Sequence, residues 1–157
     1  PESHRTPEKV TAFKAVFDAR YEAHCMDKTR PYPGVPELLK ALKTGGARLA
    51  VLSNKSDAFV QTIVSGIFGS GFFDAVRGQL DGIPKKPAPD GVWSLLKELS
   101  VSRENALFIG DSDVDILTAK NAGLPSAGAI WGFRGREELQ NAGADFLVEA
   151  PKEIAAL

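Results

Sequence analysis

The chain has 157 residues, 43% of them hydrophobic and 25% charged, enough to bury one compact core. Nineteen Lys plus Arg against 20 Asp plus Glu leave a formal net charge of −1, which excludes a global field that would gather nucleic acid or an anionic membrane surface and points to a small-molecule partner. The single Cys25 cannot close an intrachain disulfide and fits a reducing, cytoplasmic setting; no apolar run approaches the roughly 20 residues of a membrane span, and the opening PESHRTPEKV is too polar for a signal h-region. In chain order, Val10, Phe13, Phe17 and Tyr21 recur at helical spacing after Thr6-Pro7, predicting an amphipathic helix over Pro7–Met26. Two prolines and a glycine in TRPYPG, Thr29–Gly34, break it and mark an internal boundary, dividing the chain into 1–29 and 30–157. Beyond it the pattern alternates: helix Val35–Lys43, strand Ala47–Leu52, helix Asp57–Ile67, a short strand near Asp74–Val76, and helix Asp90–Leu99. Strand Ala106–Ile109, helix Val114–Ala122, strands Ser126–Ile130 and Asp145–Val148, and short helices around Glu137 and over Pro151–Leu157 complete it. Strands alternating with helices, several of them continuous apolar runs such as LAVL and ALFI, predict an α/β fold with a mostly parallel sheet covered on both faces.

In such sheets the chemistry lies beyond the carboxyl ends of the strands, so the polar residues after each apolar run carry the information. Three clusters stand there. Ser53-Asn54-Lys55-Ser56 follows RLAVL and leads into a helix; a hydroxyl and free helix N-terminal amides suit an oxyanion, although a simple helix cap accounts for a serine there equally well. Pro84-Lys85-Lys86-Pro87-Ala88-Pro89 fixes a lysine pair between prolines just before a helix. Rigid placement of an ammonium suits a phosphate site, and a solvated basic loop is the bland alternative. Gly110-Asp111-Ser112-Asp113-Val114-Asp115 packs three carboxylates into five residues at the end of an apolar strand. Their repulsion calls for a cation such as Mg²⁺, or for some of them to cap the following helix.

Together and in this order, the clusters resemble the later signature motifs of the haloacid dehalogenase superfamily. YPGVPELLKALK, the Asn54-Lys55 doublet, KKPAPD, AKNAG, WGFRG and NAGADFLV resemble its phosphoglycolate phosphatases, so the likeness runs from about Tyr21 to the end. The resemblance implies a three-layer Rossmann-like core over 30–157, with 1–29 as the remnant and linker of a small helical cap. It implies that Ser53 and the Asn54 amide hold the transferring phosphoryl group, and that Lys86 offsets charge on the nucleophile and phosphate. Asp111 would ligate Mg²⁺, with Asp115 as a second ligand or as its support. The implied reaction is Mg²⁺-dependent hydrolysis of a small phosphomonoester such as 2-phosphoglycolate, through an aspartyl-phosphate. Lys85 and Lys86 are adjacent, and only one of them can point inward.

One part of the pattern has no match. In the family the first strand ends in Asp-x-Asp and supplies the nucleophile, whereas Glu2, Glu8, Asp18, Glu22, Asp27 and Glu37 lie in helix or loop contexts. The expectation is therefore a chain that lacks the central first strand, is inactive alone, and belongs to a longer parent or has the position filled by a partner chain in an oligomer. Direct pairing of the strands ending at Leu52 and Ile109 would oppose that expectation. Within the superfamily a phosphosugar mutase or a pyrophosphatase fits the same motifs, and a non-catalytic phosphate- and Mg²⁺-binding remnant is the reading from another class. A phospho-acceptor receiver domain is opposed by chain order, because Ser53 and Lys86 precede the acids. His4 and His24 read as surface or cap residues, Trp93 and Trp131 as packing anchors, and Arg134 as a loop residue that is solvated or at the rim of the site.

Overall fold

The computed structural model describes residues 5–157; His4 lies outside them. The chain divides into two compact units, with the break between Arg30 and Pro31.

The first unit is dominated by helix α1, Pro7–His24. Thr6 caps it by accepting from the Lys9 amide, and Pro7 occupies the first turn, where a missing N–H costs nothing. The helix stops two residues short of the predicted Met26. Past its end the Arg30 guanidinium binds the carbonyls of Met26 (3.1 Å), Asp27 (3.2 Å) and Thr29 (2.7 Å). These carbonyls belong to the turn that follows the helix and its cap, Cys25. No residue of α1 is buried. Phe17 stacks on Tyr21 at 5.6 Å between ring centroids, and His24 pairs with Asp27 at 2.8 Å on the surface.

The second unit alternates strand and helix. Helix α2 (Val35–Thr44) is followed by β1 (Ala50–Ser56), α3 (Asp57–Phe68), β2 (Ala75–Gln79) and α4 (Asp90–Leu99). Then come β3 (Phe108–Gly110), α5 (Asp113–Ala122), β4 (Ser126–Ala129), α6 (Arg136–Asn141) and β5 (Phe146–Val148), with a closing 3₁₀ turn over Pro151–Ala156. Every strand pairing is parallel, β1 with β2 and β3 with β4 and then β5. Two boundaries differ from the sequence reading in a way that matters. β1 begins three residues later than predicted and runs on through Ser56, so Ser53 and Asn54 lie in the strand's polar continuation, across an irregular register between Leu52 and Ser56. α5 begins at Asp113, one residue earlier than predicted, because Ser112 closes a capping box with Asp115.

The strands form two separate sheets, β1-β2 and β3-β4-β5. Direct pairing of β1 with β3 does not occur, and the second edge of each carries no strand among the described residues. Ile109, in the apolar run of β3, is accordingly 41% exposed. One core cluster nonetheless serves both sheets. Val92 of α4 and Ala119, Ala122 and Leu124 from α5 and its end pack against Leu52 of β1 and Phe108 of β3. The preceding residue, Leu107, packs into a different cluster with Leu38 of α2, Val148 of β5 and Ile154. Consecutive residues entering two cores is the alternation of an extended chain, and it puts a helical layer on either side of the strands. Full burial of Ile116 and Leu139 contributes about 1.5–3 kcal/mol each. Trp131 packs on the second cluster, and Trp93 donates from its indole to the Ala122 carbonyl at 3.3 Å.

The starts of β4 and β5 are tied by a side-chain clamp. Asp145 Oδ2 accepts from the Ser126 amide (2.8 Å) and hydroxyl (2.7 Å), while the Asp145 amide donates back to Ser126 Oγ (3.1 Å). The hydroxyl, followed by the amide, holds the Asp145 carboxyl below its ordinary range. No helix among the described residues is long and apolar enough to cross a membrane.

Candidate active site

The acidic loop is built by helix capping. Asp115, at the third helical position of α5, turns its carboxylate back over the helix start, and Oδ2 accepts from the amides of Asp111 and Ser112 (3.2 Å each) and from the Ser112 hydroxyl (2.7 Å). Gly110 makes the approach possible, since a Cβ there would lie 2.5 Å from Asp115 Cγ and 2.8 Å from Oδ2. Asp113 uses Oδ1 on the Val114 amide at 2.7 Å. Capping contacts thus absorb two of the three carboxylates. Asp111 is left: its Oδ2 accepts from the Phe133 amide at 3.1 Å, and its Oδ1 accepts no hydrogen bond from the described residues.

The lysine loop is latched to this centre. Lys86 Nζ lies 2.6 Å from Asp115 Oδ1, with both side chains largely buried, at 14% and 11% exposure. Lys85 is exposed, so of the adjacent pair Lys86 is the one that points inward. The Lys86–Pro87 peptide is cis. Asn54 holds the Lys86 backbone reciprocally: its amide nitrogen donates to the Lys86 carbonyl (3.0 Å), and its oxygen accepts from the Lys86 amide (2.8 Å). From the other side Asn121 donates to the Pro87 carbonyl at 2.9 Å. Lys86 spends one of its three N–H bonds on Asp115, and its ammonium stands 5.9 Å from the Phe108 ring centroid.

Ser53 lies at the polar end of β1. Its hydroxyl oxygen accepts from the Lys55 amide at 3.1 Å, which leaves the hydroxyl proton to be donated elsewhere. One chain of contacts runs from Asn54 through Lys86 and Asp115 to the Asp111 and Ser112 amides, so the three clusters that are far apart in sequence meet.

The Haloacid dehalogenase-like hydrolase family profile matches residues 2–129, most of the chain. The chain belongs to the haloacid dehalogenase-like hydrolases. Among its relatives, the phosphoglycolate phosphatase of Aquifex aeolicus (strain VF5) is 37% identical over 142 residues, covering 90% of this chain and 65% of that protein. The phosphoglycolate phosphatase of Escherichia coli (strain K12) is 29% identical over 147 residues, covering 94% and 58%. The crystal structure of a candidate phosphoglycolate phosphatase from Lactobacillus delbrueckii subsp. bulgaricus superposes with a TM-score of 0.88 at 40% identity, over 98% of this chain and 64% of that one. The chain therefore spans less than two thirds of the length of these relatives.

Among the described residues no group of three or more His, Cys, Asp or Glu side chains forms a metal cage. The donor set still fits a Mg²⁺ ion. Mg²⁺ takes one or two carboxylates and keeps several waters, and Asp111 presents one carboxylate oxygen at a strand end with its other oxygen pinned. The Asp115 carboxylate already accepts from four donors, Lys86, the Asp111 and Ser112 amides and the Ser112 hydroxyl. Three contributors escaped the sequence reading. The Asn54 side chain and Asn121 act as latches on the lysine loop, and the backbone of the WGFRG loop reaches Asp111. The Asn54-Lys55 doublet, AKNAG and WGFRG stood out as family-like segments, without these contacts being assigned to them.

Proposed function

We propose that this chain carries most of the active site of a Mg²⁺-dependent phosphatase that hydrolyses a small phosphorylated acid of the 2-phosphoglycolate kind. The observation that carries the reading is the contact chain Asn54–Lys86–Asp115–Asp111, which gathers a fixed ammonium and a partly free carboxylate at strand ends. The phosphoglycolate phosphatases of A. aeolicus and E. coli support the substrate class.

In this reading the Ser53 hydroxyl and the Asn54 backbone amide donate to the phosphoryl oxygens, and the Asn54 side chain keeps the lysine loop in place. Lys86, neutralised only in part by Asp115, directs its remaining N–H bonds at the phosphate and offsets the charge that develops on the equatorial oxygens. Asp111 holds the divalent ion, and Asp115 orients Asp111 through its amide. Mg²⁺, when bound, supplies further charge stabilisation at the phosphoryl group. The nucleophilic aspartate is not among these 157 residues. It would stand on a strand between β1 and β3, whose free edges are the place for one, and an aspartyl-phosphate formed there would be cleaved by water.

The experiment is Mg²⁺-dependent phosphate release from 2-phosphoglycolate, measured for the full protein and for these 157 residues alone. Turnover by the full protein, a severe loss in Lys86→Ala, and none from the 157 residues are expected. Undiminished turnover in Lys86→Ala would remove the site, and turnover by the 157 residues would mean that the nucleophile lies within them. Absence of turnover from the full protein, with phosphate and Mg²⁺ still bound, would favour the non-catalytic binding reading.

A further inference from the structure

Asp111 is gripped by a loop from the neighbouring strand. After β4 ends at Ala129, the Gly132 amide returns to the Ala129 carbonyl at 3.0 Å and turns the chain over the acidic loop. Two successive amides then bind Asp111: Phe133 N–H donates to carboxylate Oδ2 at 3.1 Å, and Arg134 N–H donates to the Asp111 carbonyl at 3.2 Å. Between them and β4 there is no room for a side chain. A Cβ on Gly132 would overlap Asp111 Cβ and stand 2.7 Å from Oδ2 and 2.9 Å from Cγ. A second tie closes the loop, since Glu138 Oε1 lies 3.5 Å from Arg134 Nε and accepts from the Asp113 amide at 3.2 Å.

Resting on the proposed divalent-ion site, we infer that Gly132 and the Phe133 amide are positioning groups for Asp111. They pin Oδ2 so that Oδ1 alone is presented. A carboxylate at the end of a β-strand can otherwise rotate about two side-chain bonds, and fixing a ligand before the ion arrives removes that cost from binding. The missing side chain at 132 is therefore required by the close approach to Asp111 and not by the backbone angles of the turn. Groups that orient a metal ligand typically change affinity by about 10–100-fold when lost.

The test is Mn²⁺ binding to the full protein, followed by electron paramagnetic resonance in the absence of substrate, with circular dichroism and inorganic phosphate binding measured alongside. Gly132→Ala is expected to weaken Mn²⁺ binding by about tenfold or more, while phosphate binding through Ser53 and Lys86 and the helical signal stay as in the wild type. Affinity within about twofold of wild type in a folded Gly132→Ala protein would overturn the inference. Should Gly132→Ala fail to fold, an amide-to-ester replacement at Phe133 removes the donor and adds no atoms near Asp111. An affinity loss of about threefold or more then supports the inference, and unchanged affinity overturns it. Asp111→Asn separates this from the underlying reading: undiminished Mn²⁺ binding in that variant would dismiss the ion site itself, and the positioning role with it.

Discussion

Helices α1 and α5 begin with comparable promise and end in opposite circumstances. α1 spaces Val10, Phe13 and Phe17 at helical intervals, yet they are 54%, 75% and 53% exposed and none of its 18 residues is buried. α5 has fewer large apolar residues in DVDILTAKNA, yet Ile116, Thr118 and Ala119 are wholly inaccessible. The difference lies in side-chain size and in what the ends do. Ala119 and Ala122 let α5 approach α4 and the strands closely, and its first turn is spent on Ser112 and Asp115, which join the acidic loop to Lys86. Apolar spacing states that a helix needs cover; small residues decide how closely cover can come.

If stability and chemistry both sit at the α5 end, substitutions there and on α1 must differ sharply. The largest effect is expected at Asp111: Asp111→Asn should reduce Mg²⁺-dependent turnover of the full protein by about a thousandfold or more, read from initial rates of phosphate release. Next comes Ile116→Ala, which empties a fully buried position and should cost about 3 kcal/mol in urea unfolding. Measured on these 157 residues, Phe13→Ser on α1, from a residue 75% exposed, should stay within about 0.5 kcal/mol in urea unfolding. Comparable losses for the two would erase the contrast.

Much of the fold was legible because it depends on local pattern. Thr6-Pro7 starts α1, YPGVPELL starts α2, and the run ALFI becomes β3 with its side chains divided between two cores. The extension of β1 through Ser56 was not legible, because Ser53-Asn54-Lys55-Ser56 is polar and reads as a loop; tertiary pairing of Ser56 with Gln79 makes it strand. At the site, the residue types marked the serine cluster, the lysine pair and the three carboxylates as candidates for phosphate and Mg²⁺ chemistry, and the family resemblance singled out Ser53, Lys86 and Asp111 among them. The resemblance assigned Asp111 and Asp115 to the ion and Lys86 to the phosphate, but it carried nothing of how Asp113 and Asp115 are spent on capping contacts, which only the folded geometry separates. The contact with Asp115 turns Lys86, and not Lys85, inward.

Two smaller effects sharpen the account. Asn121→Ala deletes the donor to the Pro87 carbonyl and should cost about 1 kcal/mol in stability, with a lower kcat in the full protein as the lysine loop loosens. The Ser126–Asp145 clamp gives a pH signature. Asp145 titrates below its ordinary range when folded, so its contribution is fully present above the unfolded carboxyl range and fades as pH falls through the depressed folded value. Asp145→Asn should therefore flatten the acid limb of a plot of melting temperature against pH and leave the neutral region with a small constant loss. An acid limb identical to wild type would show that the clamp contributes nothing.

In the proposed site Asp111 faces the divalent ion while Asp115 remains tied to Lys86 and to the Ser112 cap. The most direct measurement is a crystal structure of the full protein with Mg²⁺ and inorganic phosphate bound. The ion is expected on Asp111, phosphate against Ser53 and Lys86, and the Asp115 contacts intact. Mg²⁺ bound through Asp115 with Lys86 displaced, or bound away from Asp111 altogether, would contradict it.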